Sequence, residues 1–394
     1  MNPEDFRESS SGRLVRTGQE PAAYWAFVPQ PLAPHLEPDW ELIRALSDAD
    51  RALSQLGGLG RTMANPHLLI GPFVHREAVL SSRIEGTEAD INDLYAYEAE
   101  QMLLPGMETE PSESDVREVQ NYVNALEYGL KRLDTLPVSL RLIREIHEKL
   151  MIGVRGEYAT PGQFRHSQNW IGPPGCTLAE ATFVPPPVPE MDKALHTFER
   201  YLHSEDRYPP LLRLAFIHYQ FETIHPFLDG NGRVGRLILS LLMVEWKLLP
   251  LPLLYLSAYF YRQRQDYYDL LLGVSQRGAW RDWLLFFLHG VSEQAEDAAA
   301  RAGQLQDLHD KWHQWLSQTR NSALTLKLAD TLFSTPILTI PQAARLLDVT
   351  YPAAQQNVER LVQAGILQLR EKAAYGKTYV AAEILAVVRD KEPS

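Results

Sequence analysis

The chain has 394 residues, enough for two or three domains at roughly 150 residues each. Hydrophobic residues make up 45% and charged residues 22%, which excludes a mainly disordered or collagen-like chain. Acidic residues outnumber basic ones 50 to 38, so the formal net charge is −12 and bulk electrostatic coating of nucleic acid is not expected. Cys176 is the single cysteine, which rules out an internal disulfide or a Cys-rich zinc site and favours a reducing compartment. The polar start MNPEDFRESSSGRLVRTG has no apolar run of the secretory kind. The most apolar stretch, Leu237 to Leu256, is broken by Glu245, Lys247, Pro250 and Pro252. A cytoplasmic protein with no membrane association is the expectation.

Residues 1–110 read as an arm followed by helices. The first 40 or so are polar and then rich in proline and aromatics, and Pro29, Pro31 and Pro34 exclude a helix there, so an extended arm is expected. Leu42, Leu46 and Leu53 recur at helical spacing. Val74, Ala78 and Ile84 do so again, with Pro72 suited to a first turn and Gly86 to a stop. The segment LLPGMETEPSES marks a soft break. Residues 111–300 form a central block. Ser112 and Ser114 precede an amphipathic helix, Val138 to Met151 and Pro210 to Ile224 read as two more, and Gly235 to Trp246 as a strongly apolar one. Between them FRHSQNWIGPPGCTLAEATFVPPPVPE reads as loops with a short hairpin. Residues 326–394 run helix, tight turn, helix and two short strands around a glycine, a succession that resembles a winged helix-turn-helix. The predicted fold class is mainly α, a helical core with one irregular hairpin flap.

One segment carries chemistry: His225-Pro226-Phe227-Leu228-Asp229-Gly230-Asn231-Gly232-Arg233-Val234-Gly235-Arg236. Gly230 and Gly232 permit positive φ, so successive amides can converge on an anion, and the helix beginning near Gly232 adds its positive dipole end. Arg233 and Arg236, three apart, share a helix face and offer forked donors to phosphate. Asp229 could hold a magnesium ion bridging the same phosphates, and His225 could deprotonate an incoming hydroxyl. The segment fits neither a Walker A loop nor a Rossmann fingerprint, since the preceding element reads as helix. A zinc-hydrolase pattern is also lacking, because His147-Glu148 is followed by Met151 rather than a second histidine.

HPFLDGNGRVGR is similar to the H-x-F-x-[DE]-G-N-G-R-x-x-R signature of the Fic family within the Fido fold, matching at every specified position. The resemblance implies a protein adenylyltransferase that moves AMP from ATP to a Ser, Thr or Tyr hydroxyl of a target protein. By position, His225 would be the general base and Asp229 the magnesium ligand. Gly230, Asn231, Gly232 and Arg233 would cradle the α- and β-phosphates, with Val234 and Gly235 in the same ATP-binding segment. Arg236 would meet the γ-phosphate, and Phe227 would anchor the loop by packing. FRHSQNWIGP and FVPPPVPEMDKAL resemble the family's flap, which implies that Ala181 to Pro185 bind the target backbone by strand addition. SAYFYRQRQDYYDLL resembles the helix lining the adenine pocket, with Gln263 where many relatives carry Asn; Tyr259, Tyr267 and Tyr268 read first as core.

Ser81-Ser82-Arg83-Ile84-Glu85-Gly86 resembles the family's inhibitory pattern [ST]-x-x-x-E-[GN]. The resemblance implies that the Glu85 carboxylate pairs with Arg236 and excludes a triphosphate, or directs water in removal of AMP. A homodimer is expected from the family alone. Lys327 to Ser394 holds eight basic residues against seven acidic, so DNA binding is not favoured over a docking role, although Gln355, Gln356 and Asn357 on the second helix could read bases. The competing readings are a Fido enzyme transferring another phosphate-linked group, and a nucleotide-sensing transcriptional regulator.

Overall fold

Prolines and small polar caps set where most of the helices begin in a computed structural model, which describes residues 1–19, 23–62, 67–101, 114–154, 160–318, 322–370 and 377–389. In chain order the described elements are β1 (Gly12–Thr17), β2 (Tyr24–Pro29), α1 (Trp40–Thr62), α2 (His67–Ile84), α3 (Ile91–Gln101), α4 (Ser114–Arg132), α5 (Leu140–Leu150) and α6 (Val188–Leu202). They continue with α7 (Pro210–Ile224), α8 (Asn231–Glu245), α9 (Ser257–Arg262), α10 (Arg264–Arg277) and α11 (Trp280–Gln318). The last are α12 (Ala323–Leu332), β3 (Ile337–Thr339), α13 (Ile340–Leu347), α14 (Tyr351–Gln363), β4 (Gln368–Arg370), β5 (Thr378–Val380) and α15 (Ala382–Val388). The class is mainly helical, as the sequence predicts, and the described residues also form two small antiparallel sheets.

The chain forms two compact units. The first comprises Met1–Ser54, Asn124–Leu249 and Leu256–Ala295, so the segment read from sequence as residues 1–110 divides after Ser54. Its centre is α7 against α8, flanked by α6 and α5. Both central helices are apolar nearly all round, the pattern of a helix buried on every side. α7 opens on Pro210 at its first turn, where the missing N–H costs nothing. α5 opens on Ser139, whose side chain accepts from Leu142 N–H. The N-terminal arm is a hairpin, which corrects the expectation of an extended segment: β1 and β2 pair antiparallel from Gly12↔Pro29 to Thr17↔Tyr24. Prolines hid it because they cluster at and after its second strand, leaving both strands free to pair. Phe27 packs with Phe6 and Phe183, and Gln220 on α7 donates to Gln30 O at 3.1 Å.

The second unit comprises Gln55–Val123, Pro250–Tyr255 and Glu296–Ser394. α2 starts well before Pro72, which lies inside it rather than in its first turn. Gly86 closes the chain after α2 at φ +100°, the left-handed conformation expected of a stop. Ser112 and the LLPGMET part of the soft break lie outside the described residues. α12, β3, α13, α14, β4 and β5 follow one another, with the sheet in the order β3-β5-β4. Thr339 and Gln342 form a reciprocal cap at the start of α13, and Asp348 turns the chain into α14 at φ +56°. The glycine-bearing turn between β4 and β5 lies outside the described residues. Among the described residues no helix is long and apolar enough to cross a membrane.

Candidate active site

The HPFLDGNGRVGR segment is the junction of α7 and α8, and its shape follows from two left-handed residues. His225 ends α7 at φ +49°, with its N–H still bonded to Phe221 O. Gly230 precedes α8 at φ +78°, and a Cβ there would press on Met151 Sδ at 3.1 Å, so both conformation and space call for glycine. Gly232, expected to share this role, is an ordinary residue of the first turn of α8, which begins at Asn231.

His225 is oriented by the end of α7. Its Nδ1 lies 3.1 Å from Glu222 O, an acceptor only, so Nδ1 carries a hydrogen. The first amides of α8, those of Asn231 and Gly232, have no intrahelical acceptor, and the capping residue Gly230 has no side chain to offer one. This is a helix N-terminus suited to an anion. Arg233 and Arg236 are both buried on α8, and Arg233 Nη2 lies 3.9 Å from Asp229 Oδ1. Asp229 accepts from Gly230 N–H through Oδ1 at 2.6 Å while its side chain stays half exposed. A hard, partly solvated carboxylate beside a helix start fits magnesium. Val234 is fully buried, and Gly235 lets α8 approach α7, since a Cβ there would stand 2.2 Å from Glu222 Oε1.

Three residues that the sequence did not single out hold this loop. Arg165, 1% exposed, donates through Nε to His225 O at 3.0 Å, through Nη1 to Ser167 O at 3.2 Å and through Nη2 to Pro186 O at 2.6 Å. Asn169 Nδ2 donates to His225 O and to Phe227 O. His147 on α5 accepts from Gly162 N–H at Nδ1 and donates from Nε2 to Asp229 O, while its ring stacks on Phe227 at 3.7 Å. Within the loop, Asn231 bonds both Phe227 N and Phe227 O at 2.8 Å. Phe227 is fully buried, the packing anchor expected of it. No local pattern could have revealed Arg165, Asn169 or His147, because each serves main-chain groups more than 50 residues away.

Burial sets the charges here. It holds Arg165 down to about 10, opposed by Tyr24 and Asp192, which still leaves the guanidinium charged at neutral pH. Burial, with the positive charge of Arg236 behind it, pushes His218 down to about 3, and the ring bonds Tyr267 Oη at 2.8 Å. Burial, with Arg233 adding to it and the bond to Asp229 O opposing it, pushes His147 down to about 4. An ordinary imidazole titrates near 6.5, so the stability linked to neutral His147 is complete above that pH. It is lost as pH falls towards 4, by about 3 kcal/mol across the window. Denaturant midpoints measured from pH 7 to pH 4 are expected to fall more in the wild type than in His147→Asn, whose amide can keep both hydrogen bonds without titrating. Arg165→Ala strands carbonyls of His225, Ser167 and Pro186, and about 3 kcal/mol or more of stability is expected to be lost. Arg165→Lys is expected to recover less than half of that in the same unfolding experiment, since one ammonium cannot span three carbonyls.

The remaining predicted positions divide. The expected single helix over residues 257–271 breaks at Gln263, with α9 before it and α10 after it, because Gln263 has left helical geometry at φ −115°, ψ 40°. Tyr259 and Tyr267 are core as predicted, whereas Tyr268 is 38% exposed. The flap is a single bridge, Ile171↔Phe183, rather than a regular hairpin. Its predicted open edge is taken at Val184, whose carbonyl accepts Phe27 N–H at 2.9 Å, and only Thr182 of Ala181 to Pro185 is exposed. Ser81 is fully buried on α2, and Glu85 is exposed in the turn that follows it. Asn357 cannot read bases from its position: it is buried and accepts from Thr325 Oγ1 at 2.6 Å and Ser322 Oγ at 3.1 Å. Gln355 donates to Glu359, and Gln356 is exposed.

Residues 43–131 match the Fic/DOC family N-terminal region and residues 137–243 the Fic/DOC family itself. A protein adenylyltransferase Fic from Drosophila persimilis is 30% identical over 126 residues, which is 32% of this chain and 22% of that protein. The chain thus matches less than a quarter of the length of that curated relative. The crystal structure of a Fic family protein from Desulfovibrio desulfuricans G20 superposes with a TM-score of 0.56 at 17% identity, over 89% of this chain and 98% of the other. A Fic domain containing signaling protein from Bacteroides thetaiotaomicron gives 0.51 at 17% identity, over 65% and 95%. With the signature placed at the α7–α8 junction and both family regions matched in order, the chain belongs to the Fic/DOC family.

Proposed function

We propose that the protein is an adenylyltransferase that moves AMP from ATP to a Ser, Thr or Tyr hydroxyl of a target protein. The observation that carries this reading is the start of α8, with no side-chain cap, directly after a loop that begins at His225 with its Nδ1 oriented by Glu222 O. His225 Nε2 takes the hydroxyl proton, the freed oxygen bonds the α-phosphorus, and the bond to the β-phosphate oxygen breaks to release pyrophosphate. The amides of Asn231 and Gly232 with Arg233 hold the α- and β-phosphates, and Arg236 meets the γ-phosphate. Asp229 would hold magnesium, which neutralises phosphate charge when bound. Gln263, at the break between α9 and α10, is the residue assigned to the base. Arg165, Asn169 and His147 act as positioning residues by fixing the main chain that carries His225 and Asp229.

The target would meet the flap on its accessible side, where Thr182 is exposed. Glu85 restrains ATP binding by pairing with Arg236. The C-terminal succession from α12 to β5 is a winged helix-turn-helix used for docking rather than base reading, since Asn357 is committed to α12. Incubation of the purified chain or a cell lysate with ATP and magnesium, followed by mass spectrometry, tests the reaction. The expected product is a hydroxyl residue carrying a covalent AMP. A phosphoryl-sized or phosphocholine-sized adduct instead would contradict the proposal.

A further inference from the structure

Away from the nucleotide site, one cluster in the second unit has the chemistry of a metal centre. His309 and His313 lie four residues apart on α11, so one helix face presents both rings, which stack with centroids 4.2 Å apart. Asp330 on α12 faces them: its Oδ1 is 3.1 Å from His309 Nε2 and 2.5 Å from His313 Nε2. Donor atoms around a tetrahedral zinc ion stand about 3.3 Å apart, given bonds of about 2.0–2.1 Å, and the three atoms here all lie within 4.8 Å of one another, so small side-chain shifts would surround an ion. They are only partly covered, leaving room for a water as a fourth ligand.

His309 Nδ1 faces the Asp310 carboxylate at 3.3 Å while its Nε2 faces the Asp330 carboxylate. A neutral imidazole has one N–H and cannot donate at both ends. Either a second proton or a metal ion at Nε2 satisfies both carboxylates; with the metal, Nδ1–H donates to Asp310 in the outer carboxylate–histidine arrangement common around zinc. Gln306 Nε2 fixes Asp310 in turn at 2.9 Å, and the Phe333 ring lies edge-on to His309 at 5.5 Å. A pair of histidines at this spacing on one helix is a preferred zinc-binding arrangement.

We propose that His309 Nε2, His313 Nε2 and Asp330 Oδ1 bind a divalent transition metal of the zinc class, which ties α11 to α12 at the entrance to the C-terminal module. The site is independent of the nucleotide site and of the reaction proposed for it. The test uses the full chain without an affinity tag, stripped with chelator and titrated with zinc chloride by calorimetry, with bound metal counted by elemental mass spectrometry. One equivalent is expected to bind and to raise the thermal midpoint. Asp330→Asn and His313→Gln, both at partly exposed positions, are expected to weaken zinc binding at least tenfold and to remove the midpoint shift while circular dichroism stays unchanged. Equal zinc affinity and stoichiometry in wild type and both variants would overturn the proposal, as would no zinc binding to the wild type.

Discussion

His225→Ala is expected to lower the rate of AMP transfer by about 10²- to 10⁴-fold, the range lost when a positioned general base is removed. The loss should fall on kcat and leave the KM for ATP nearly unchanged. The phosphates are assigned to the amides of Asn231 and Gly232 and to Arg233 and Arg236, none of which the substitution removes. His225 sits at a left-handed helix end, where alanine is less at ease, so a stability loss of about 1 kcal/mol is also expected. That loss is small enough for folded protein to be assayed. Single-turnover transfer of labelled AMP, read beside equilibrium unfolding, separates the two effects. A fall of less than tenfold would remove His225 as the base.

Glu85→Gly is expected to act in the opposite direction, raising transfer at least tenfold and lowering the KM for ATP. A carboxylate that reaches Arg236 forms a strong charge-assisted pair with the group assigned to the γ-phosphate, and it places negative charge where the triphosphate must place its own. Glu85 is exposed in the turn after α2, next to Gly86, and its effect on stability is to be measured by equilibrium unfolding beside the rates. A gain in activity with a folded, cooperatively unfolding chain separates release of the brake from a loosened fold. Initial rates at varied ATP concentration give the answer. Unchanged rates and KM would show that Glu85 is no brake.

The parts of the fold and site legible in sequence are those in which cause and effect are close along the chain. Pro210 announced the start of α7, Gly86 the end of α2, and the order of the C-terminal elements from α13 to β5 was readable from caps, turns and periodicity, whereas α15 was not. The candidate site was legible as one segment for the same reason: His225, Asp229, Asn231 and Arg236 share one short junction bent at Gly230. What supports that junction was not legible. Arg165 and Asn169 come from an irregular segment whose composition says only that it is not a helix, and their partners are carbonyls of residues 167, 186, 225 and 227. The hairpin of β1 and β2 was missed because its proline-rich exit outweighed a short alternation, and its pairing with Val184 closed an edge that read as open. Asn357 looked like a surface amide on an exposed helix, yet its partners on and before α12 fix it in the core.

The most direct measurement is a crystal structure of the Glu85→Gly chain with ATP and magnesium. The expected density places the α- and β-phosphates against the first amides of α8, the terminal phosphate at Arg236 and the base near Gln263, with His225 Nε2 facing the α-phosphorus. Nucleotide bound at any other surface, with the start of α8 left in water, would contradict the assignment of this junction as the catalytic site.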